Sequence, residues 1–399
     1  MDLDAYRARA QAYATDLNRG HYRAFAGLGG RWQPAAIHAR HAPGLFDDAT
    51  IDALREAGAE RLLRFALAAR VAAETAAPDA ARAAAEADEG LAELSAALAD
   101  EDDVVRRVAL EEQRLDIALR RLTAPAAEAL ERVRALARRL GWPSARSMLS
   151  VLHGADLGAL AAEAEELLRA TARPVFDHDA PLARHDLPRA TRAAWADAAL
   201  PADPVAHLRA ALDRHGLPER FAIDDDPRPG KSSRAFCAAM VVPGDVHLVV
   251  APSGRLPDLL AVFHEAGHAL QLSLRDKRAP FEDRHLVPRV DAEAVAFAFE
   301  RLALEGVDDG AVHEHVAALD ALRTRHLAAS LLHDLDLLDD GPVPALRERY
   351  ARRMAAATGL SWPSAPWLAS ADPTLAAADY LRALGRARAL DPRAAATYQ

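Results

Sequence analysis

Apolar residues recur three and four positions apart through most of the first 140 residues. Segments 3–17, 51–73, 79–98, 103–122 and 125–140 carry this spacing, with breaks at Ala77-Pro78 and Thr123-Ala124-Pro125, and predict a bundle or long helical hairpins. No fixed-period repeat is evident, and the Ala-Glu-Ala repetition reads as helix-forming composition. Gly141-Trp142-Pro143-Ser144 interrupts the pattern, after which helices are expected over 145–152, 157–171, 188–198 and 204–215. Pro and Gly then concentrate at 224–230, the clearest loop of the chain. Two short apolar runs, 236–242 and 246–250, flank Pro243-Gly244-Asp245 and predict a β-hairpin whose edge could pair with an extended peptide.

The next helical run starts at Leu256-Pro257-Asp258, with Pro at an early position and Asp in the first turn. It contains His264-Glu265-Ala266-Gly267-His268. Two histidines four apart lie about 40° apart around a helix and one turn along it, so both rings can reach one metal ion. Glu265 points to the same side, placed to take a proton from the attacking water, as HExxH metallopeptidases require. Gly267 is costly inside a helix by about 1 kcal/mol relative to Ala, which suggests close approach of a neighbouring helix or ligand.

A catalytic zinc site takes three protein ligands, so a carboxylate on a second helix completes it. The run 291–300 supplies Glu293 among apolar neighbours, with Glu300 seven residues on and on the same face, where it could orient a ligand histidine. The metal set expected is therefore His264, His268 and Glu293, holding one Zn²⁺ per chain, with Glu265 as general base.

Composition narrows the remaining classes. The 399 residues are 51% hydrophobic and carry a net charge of −10, with the basic residues dispersed among acids, which disfavours nucleic acid. No apolar run approaches the ~20 residues that span a bilayer, so no membrane role is expected. The N-terminus lacks an apolar leader and the single Cys237 forbids an internal disulfide, from which a cytoplasmic location is expected. Cys237, between Phe236 and Ala238, reads as a small buried hydrophobe. The acid-rich 334–340 lacks the ligand spacing of an EF-hand loop.

Lys231-Ser232-Ser233-Arg234-Ala235-Phe236-Cys237, the hairpin, the HEAGHAL run, and Val287-Pro288 followed by Glu293 and Phe299-Glu300 resemble the oligopeptidases of the thimet oligopeptidase and oligoendopeptidase F type. The resemblance spans about residues 220 to 300 and is weaker on either side. It implies a mainly α, zincin-type metallopeptidase with a small antiparallel sheet beside the HExxH helix and a deep channel between two helical halves. It also carries the zinc-ligand roles to His264, His268 and Glu293. Asp379-Tyr380-Leu381 is similar to the family's last tyrosine and following leucine, which makes Tyr380 the first candidate for stabilising an oxyanion and His285 the second. The sequence departs from the family at 276–285, which holds no glycine, and at an earlier tyrosine position that falls on alanine. Regions 1–140 (N-terminal helical) and 141–399 (catalytic) are the expected organisation. The expected activity is hydrolysis of short peptides. The alternatives are an amide hydrolase or tailoring enzyme using the same site, and a helical binding protein with a vestigial one.

Overall fold

Asp2 starts the first helix, α1 (Leu3–Phe25), by accepting the backbone N–H groups of Asp4 and Ala5. The computed structural model describes residues 1–171 and 183–393, so the stretches 172–182 and 394–399 of the expected catalytic region lie outside the described residues. The chain is mainly helical, and two expected breaks differ from the pattern. The helix Glu60–Asp88 runs through Pro78, with Val71, Thr75, Ala76 and Ala85 buried along it, so packing offsets the one backbone bond that proline removes. Near Pro125 the helix Val104–Ile117 passes through a wider turn, Ala118–Leu122, into the helix Thr123–Arg139. There the Thr123 hydroxyl donates to the Ala118 carbonyl at 2.9 Å.

The chain divides into two compact units that interleave in sequence. One unit comprises Met1–Ala73, Trp195–Asp308 and the chain from Arg382; the other comprises Glu74–Ala194 and Asp309–Leu381.

The first unit is built on a three-stranded sheet of β1 (Ala222–Asp224), β2 (Phe236–Val241) and β3 (Asp245–Val249), in the order β1-β3-β2. The expected hairpin is present, with Phe236 opposite Val249 and Cys237 opposite Leu248, but the sheet is mixed because β1 pairs parallel to β3. Three residues are too few to show an alternating pattern, and Asp224 falls within the expected loop. It is instead the end of β1, where Lys231 Nζ donates to its Oδ1 at 3.0 Å and Arg228 also pairs with it.

The helix α2 (Leu256–Ser273) covers one face of this sheet. Its Val262, Phe263, Ala266 and Ala269 share a core with Val246, Leu248 and Val250, and with Val295 and Phe299 of a later helix. On the opposite face α1 lays Tyr22 against His247, with ring centroids 4.8 Å apart, and His21 against Phe236 at 5.1 Å. The helix also closes part of the β2 edge expected to be open. Thr15 Oγ1 donates to the Met240 carbonyl at 3.0 Å and Asn18 Nδ2 to the Ala239 carbonyl at 2.8 Å. A peptide could therefore pair only toward the Phe236 end.

After the short α3 (Phe281–His285), the helix α4 (Arg289–Glu300) crosses α2 at Gly267. A Cβ there would lie 2.9 Å from Ala296 Cα and 3.0 Å from Phe299 Cβ, closer than packed atoms tolerate. Gly267→Ala is therefore expected to destabilise by about 1–3 kcal/mol, read as a lowered denaturation midpoint. An unchanged midpoint would show that the helices can separate without cost.

In the second unit α5 (Gly310–Asp340) supplies the long central element. Buried Arg325 donates to the carbonyls of Ala357 at 2.7 Å and Thr171 at 2.8 Å, satisfying helix-end oxygens with a charged donor. His333 is buried and its Nε2–H meets the Trp367 carbonyl at 2.8 Å. Burial pushes its pKa down to about 4, so the ring folds neutral. Its contribution to stability is complete above the ordinary value of 6.5 and is lost as pH falls through about 4. The loss amounts to up to about 3 kcal/mol. Denaturant midpoints between pH 7 and 4 are expected to fall more steeply for the native chain than for His333→Gln; parallel curves would contradict this. Among the described residues, no helix is long and apolar enough to cross a membrane.

Candidate metal centre

Pro257 and Asp258 open α2 as expected, and its apolar side sinks into the core beneath the sheet. That burial leaves His264 and His268 on the remaining side, one turn apart, with ring centroids separated by 5.0 Å. The close crossing at Gly267 brings α4 near enough for Glu293 to meet both rings. Glu293 Oε2 lies 3.3 Å from His264 Nε2 and 3.6 Å from His268 Nε2. It is buried and makes no properly directed hydrogen bond to either. One ligand atom from each of the three residues lies within 4.8 Å of the others.

Three donors 2.0–2.1 Å from a tetrahedral zinc would be spaced by about 3.3–3.4 Å, which two of these separations approach. Two imidazole nitrogens and a carboxylate oxygen are also a donor set that zinc accepts in catalytic sites. The residues present therefore fit the metal expected of them.

Glu300, two turns further along the same face of α4, places Oε2 3.3 Å from His264 Nδ1. A proton held on Nδ1 leaves Nε2 directed at the metal point, and the carboxylate fixes the ring plane. Burial opposes charge on His264, but Glu293 and Glu300 outweigh it and lift the pKa to about 9 in the metal-free chain. Burial likewise acts to raise Glu293, and the two imidazoles hold it well below the usual carboxylate range. Glu300→Gln is expected to weaken zinc binding by roughly 10- to 100-fold, measured by competition with a chromogenic chelator. Unaltered affinity would remove Glu300 from the site.

Glu265 does not join the ligand cluster. Its Oε2 accepts the backbone N–H of Cys237 at 2.9 Å, which ties the carboxylate to the edge of β2 through one oxygen. Cys237 itself is held as a neutral thiol, its pKa pushed well up first by burial and then by the nearby Glu265 charge.

The two oxyanion candidates are His285 and Tyr380. His285 ends α3 and stacks on Phe281, with centroids 4.9 Å apart and planes 20° from parallel. Its Nε2 is buried without a partner, and burial, aided by Arg284, lowers its pKa to about 4. Tyr380 is half-buried on α6 (Ala376–Ala387), on the part of that helix that belongs to the second unit. His247 turns to Asp245 Oδ1 at 2.8 Å and packs on Tyr22. Two participants are absent from the sequence expectations. The Cys237 amide carries no side-chain signal; Arg289, with Nε 3.8 Å from Glu293 Oε1, has the four-residue helical spacing that could have revealed it.

No protein-family model and no curated protein sequence matches the chain. Solved structures do. A protein assigned as oligoendopeptidase F, determined at 3.1 Å, superposes with a TM-score of 0.56 at 15% identity, covering 96% of this chain and 81% of that one. An oligoendopeptidase F assignment from Bacillus anthracis str. Ames gives 0.51 at 13% identity, over 94% and 75%. PZ peptidase A with an inhibitor gives 0.53 at 12% identity, over 95% and 77%. At such identities the likeness is one of fold, and it extends over nearly the whole chain. The chain therefore has the helical fold of the oligoendopeptidase F and PZ peptidase A structures.

Proposed function

We propose that the chain is a zinc peptidase that hydrolyses short peptides. The observation that supports it most is the convergence of His264, His268 and Glu293 beside a Glu265 whose orientation is set by β2. The names of the fold relatives point to peptide substrates. A zinc ion held by the three ligands would supply Lewis acidity and make a bound water acidic enough to ionise near neutral pH.

The chain's own groups then do the following. Glu265 Oε1 accepts the proton of the attacking water while Oε2 stays on the Cys237 N–H, so the carboxylate need not reorient between steps. The same oxygen returns the proton to the leaving amine. Glu300 holds the His264 ring in the tautomer that presents Nε2. Tyr380, with His285 second, is the proposed donor to the developing oxyanion.

A panel of quenched fluorescent peptides of graded length, a folded protein and a set of non-peptide amides tests the proposal. Cleavage of short peptides alone supports it. Turnover confined to the amides would favour a tailoring enzyme on the same centre.

A further inference from the structure

The start of β2 carries a second feature beside the Glu265 contact. Phe236 precedes the residue whose N–H holds Glu265, and its ring belongs to a cluster with His21, Phe25 and Trp32 from the end of α1 and the following loop. His21 sits at the middle, 4.6 Å from Phe25, 5.4 Å from Trp32 and 5.1 Å from Phe236 between centroids. The outer side of the cluster is open. Phe25 is 37% exposed and Leu28, in the adjoining loop, 42% exposed. Isolated exposed apolar residues are ordinary, but Phe25 is both exposed and part of a ring cluster, which gives the cluster an apolar outer wall. The loop is kept close to the sheet, since Gly27 packs against the Pro229 carbonyl where a Cβ would approach to 2.8 Å, and Ser232 N–H donates to the Phe25 carbonyl at 2.7 Å.

The geometry of the sheet says what meets this wall. Side chains of a strand alternate between faces, and Cys237 and Leu248 point into the core under α2, whereas Phe236 and His247 point to α1. Thr15 and Asn18 close the far half of the β2 edge, so an extended peptide reaching Glu265 has only the Phe236 end to lie along. Every second side chain of such a peptide falls on the Phe236 face. Phe236 immediately precedes the Cys237 amide that holds Glu265, so the wall stands about one residue along the strand, roughly 3.3–3.6 Å, from that contact.

We infer that His21, Phe25, Trp32 and Phe236, with Leu28 at the rim, form a specificity subsite for an apolar, preferably aromatic, side chain of the substrate peptide. The inference rests on the peptidase reading and adds which residues select the sequence that is bound. Burial also holds His21 below its ordinary pKa, which keeps the middle of the wall uncharged at neutral pH.

Binding tests it separately from turnover. Fluorescein-labelled heptapeptides carrying Phe, Ala or Asp at each position in turn are titrated by anisotropy into the full-length, zinc-loaded Glu265→Gln protein. At one position Phe is expected to bind at least about tenfold more tightly than Ala, with Asp weaker still. Phe25→Ser and Leu28→Ser, both at exposed positions, are expected to reduce that ratio to about threefold or less while melting curves stay unchanged. Peptide binding without a Phe preference, or with one that both variants retain, would overturn the subsite alone. Variants that shift the sedimentation coefficient but not the peptide ratio would identify the wall as a self-association surface and overturn it too. Failure of every peptide to bind would end both the subsite and the peptidase reading.

Discussion

Glu265→Gln is expected to lower kcat for peptide cleavage by about 10²- to 10⁴-fold, the range that general-base catalysis contributes. Metal content should stay at that of the native chain, because Glu265 belongs to none of the three ligand positions. The amide can keep its carbonyl oxygen on the Cys237 N–H, so the substitution preserves the contact to β2 and removes only the proton acceptor. Steady-state kinetics together with metal analysis separate these effects. Retained activity with intact metal would mean that another group takes the proton.

Glu293→Ala has the larger effect on the metal. Zinc affinity is expected to fall by roughly 10²- to 10³-fold, one ligand's share of the 10–16 kcal/mol that structural zinc sites supply. Activity should fall with it at limiting zinc. In the native chain Glu293 is also one of the two carboxylates that keep His264 protonated without metal, so the variant should bind zinc with less release of protons. Competition with a chromogenic chelator and proton release in weakly buffered solution measure both quantities. Native affinity in this variant would exclude Glu293 as a ligand.

The helical spacing of His264 and His268 made their shared face legible, since 3.6-residue periodicity fixes which side chains of a helix lie together, and Glu293 on a second helix followed from the need for a third ligand. Gly267 was equally informative. A glycine in an apolar helix needs a reason, and the reason is Ala296 and Phe299 of the crossing helix. What stayed hidden depends on contacts distant in sequence. Thr15 and Asn18 lie more than 200 residues from the carbonyls they cap, and nothing in their local pattern marks α1 as the element that closes the β2 edge. The parallel strand β1 is too short to carry a period, and Pro78 reads as a break because its neighbours' burial leaves no local mark. Backbone donors such as Cys237 N–H leave no trace in residue identity at all.

The most direct test of the central claim is a zinc titration of chelator-treated full-length protein, followed by cleavage of the best peptide from the panel. Activity rising in proportion to added zinc and reaching its plateau at one equivalent per chain is the result expected of a centre made by His264, His268 and Glu293. Peptide cleavage that is complete before zinc is added, or none at any zinc concentration, would contradict it.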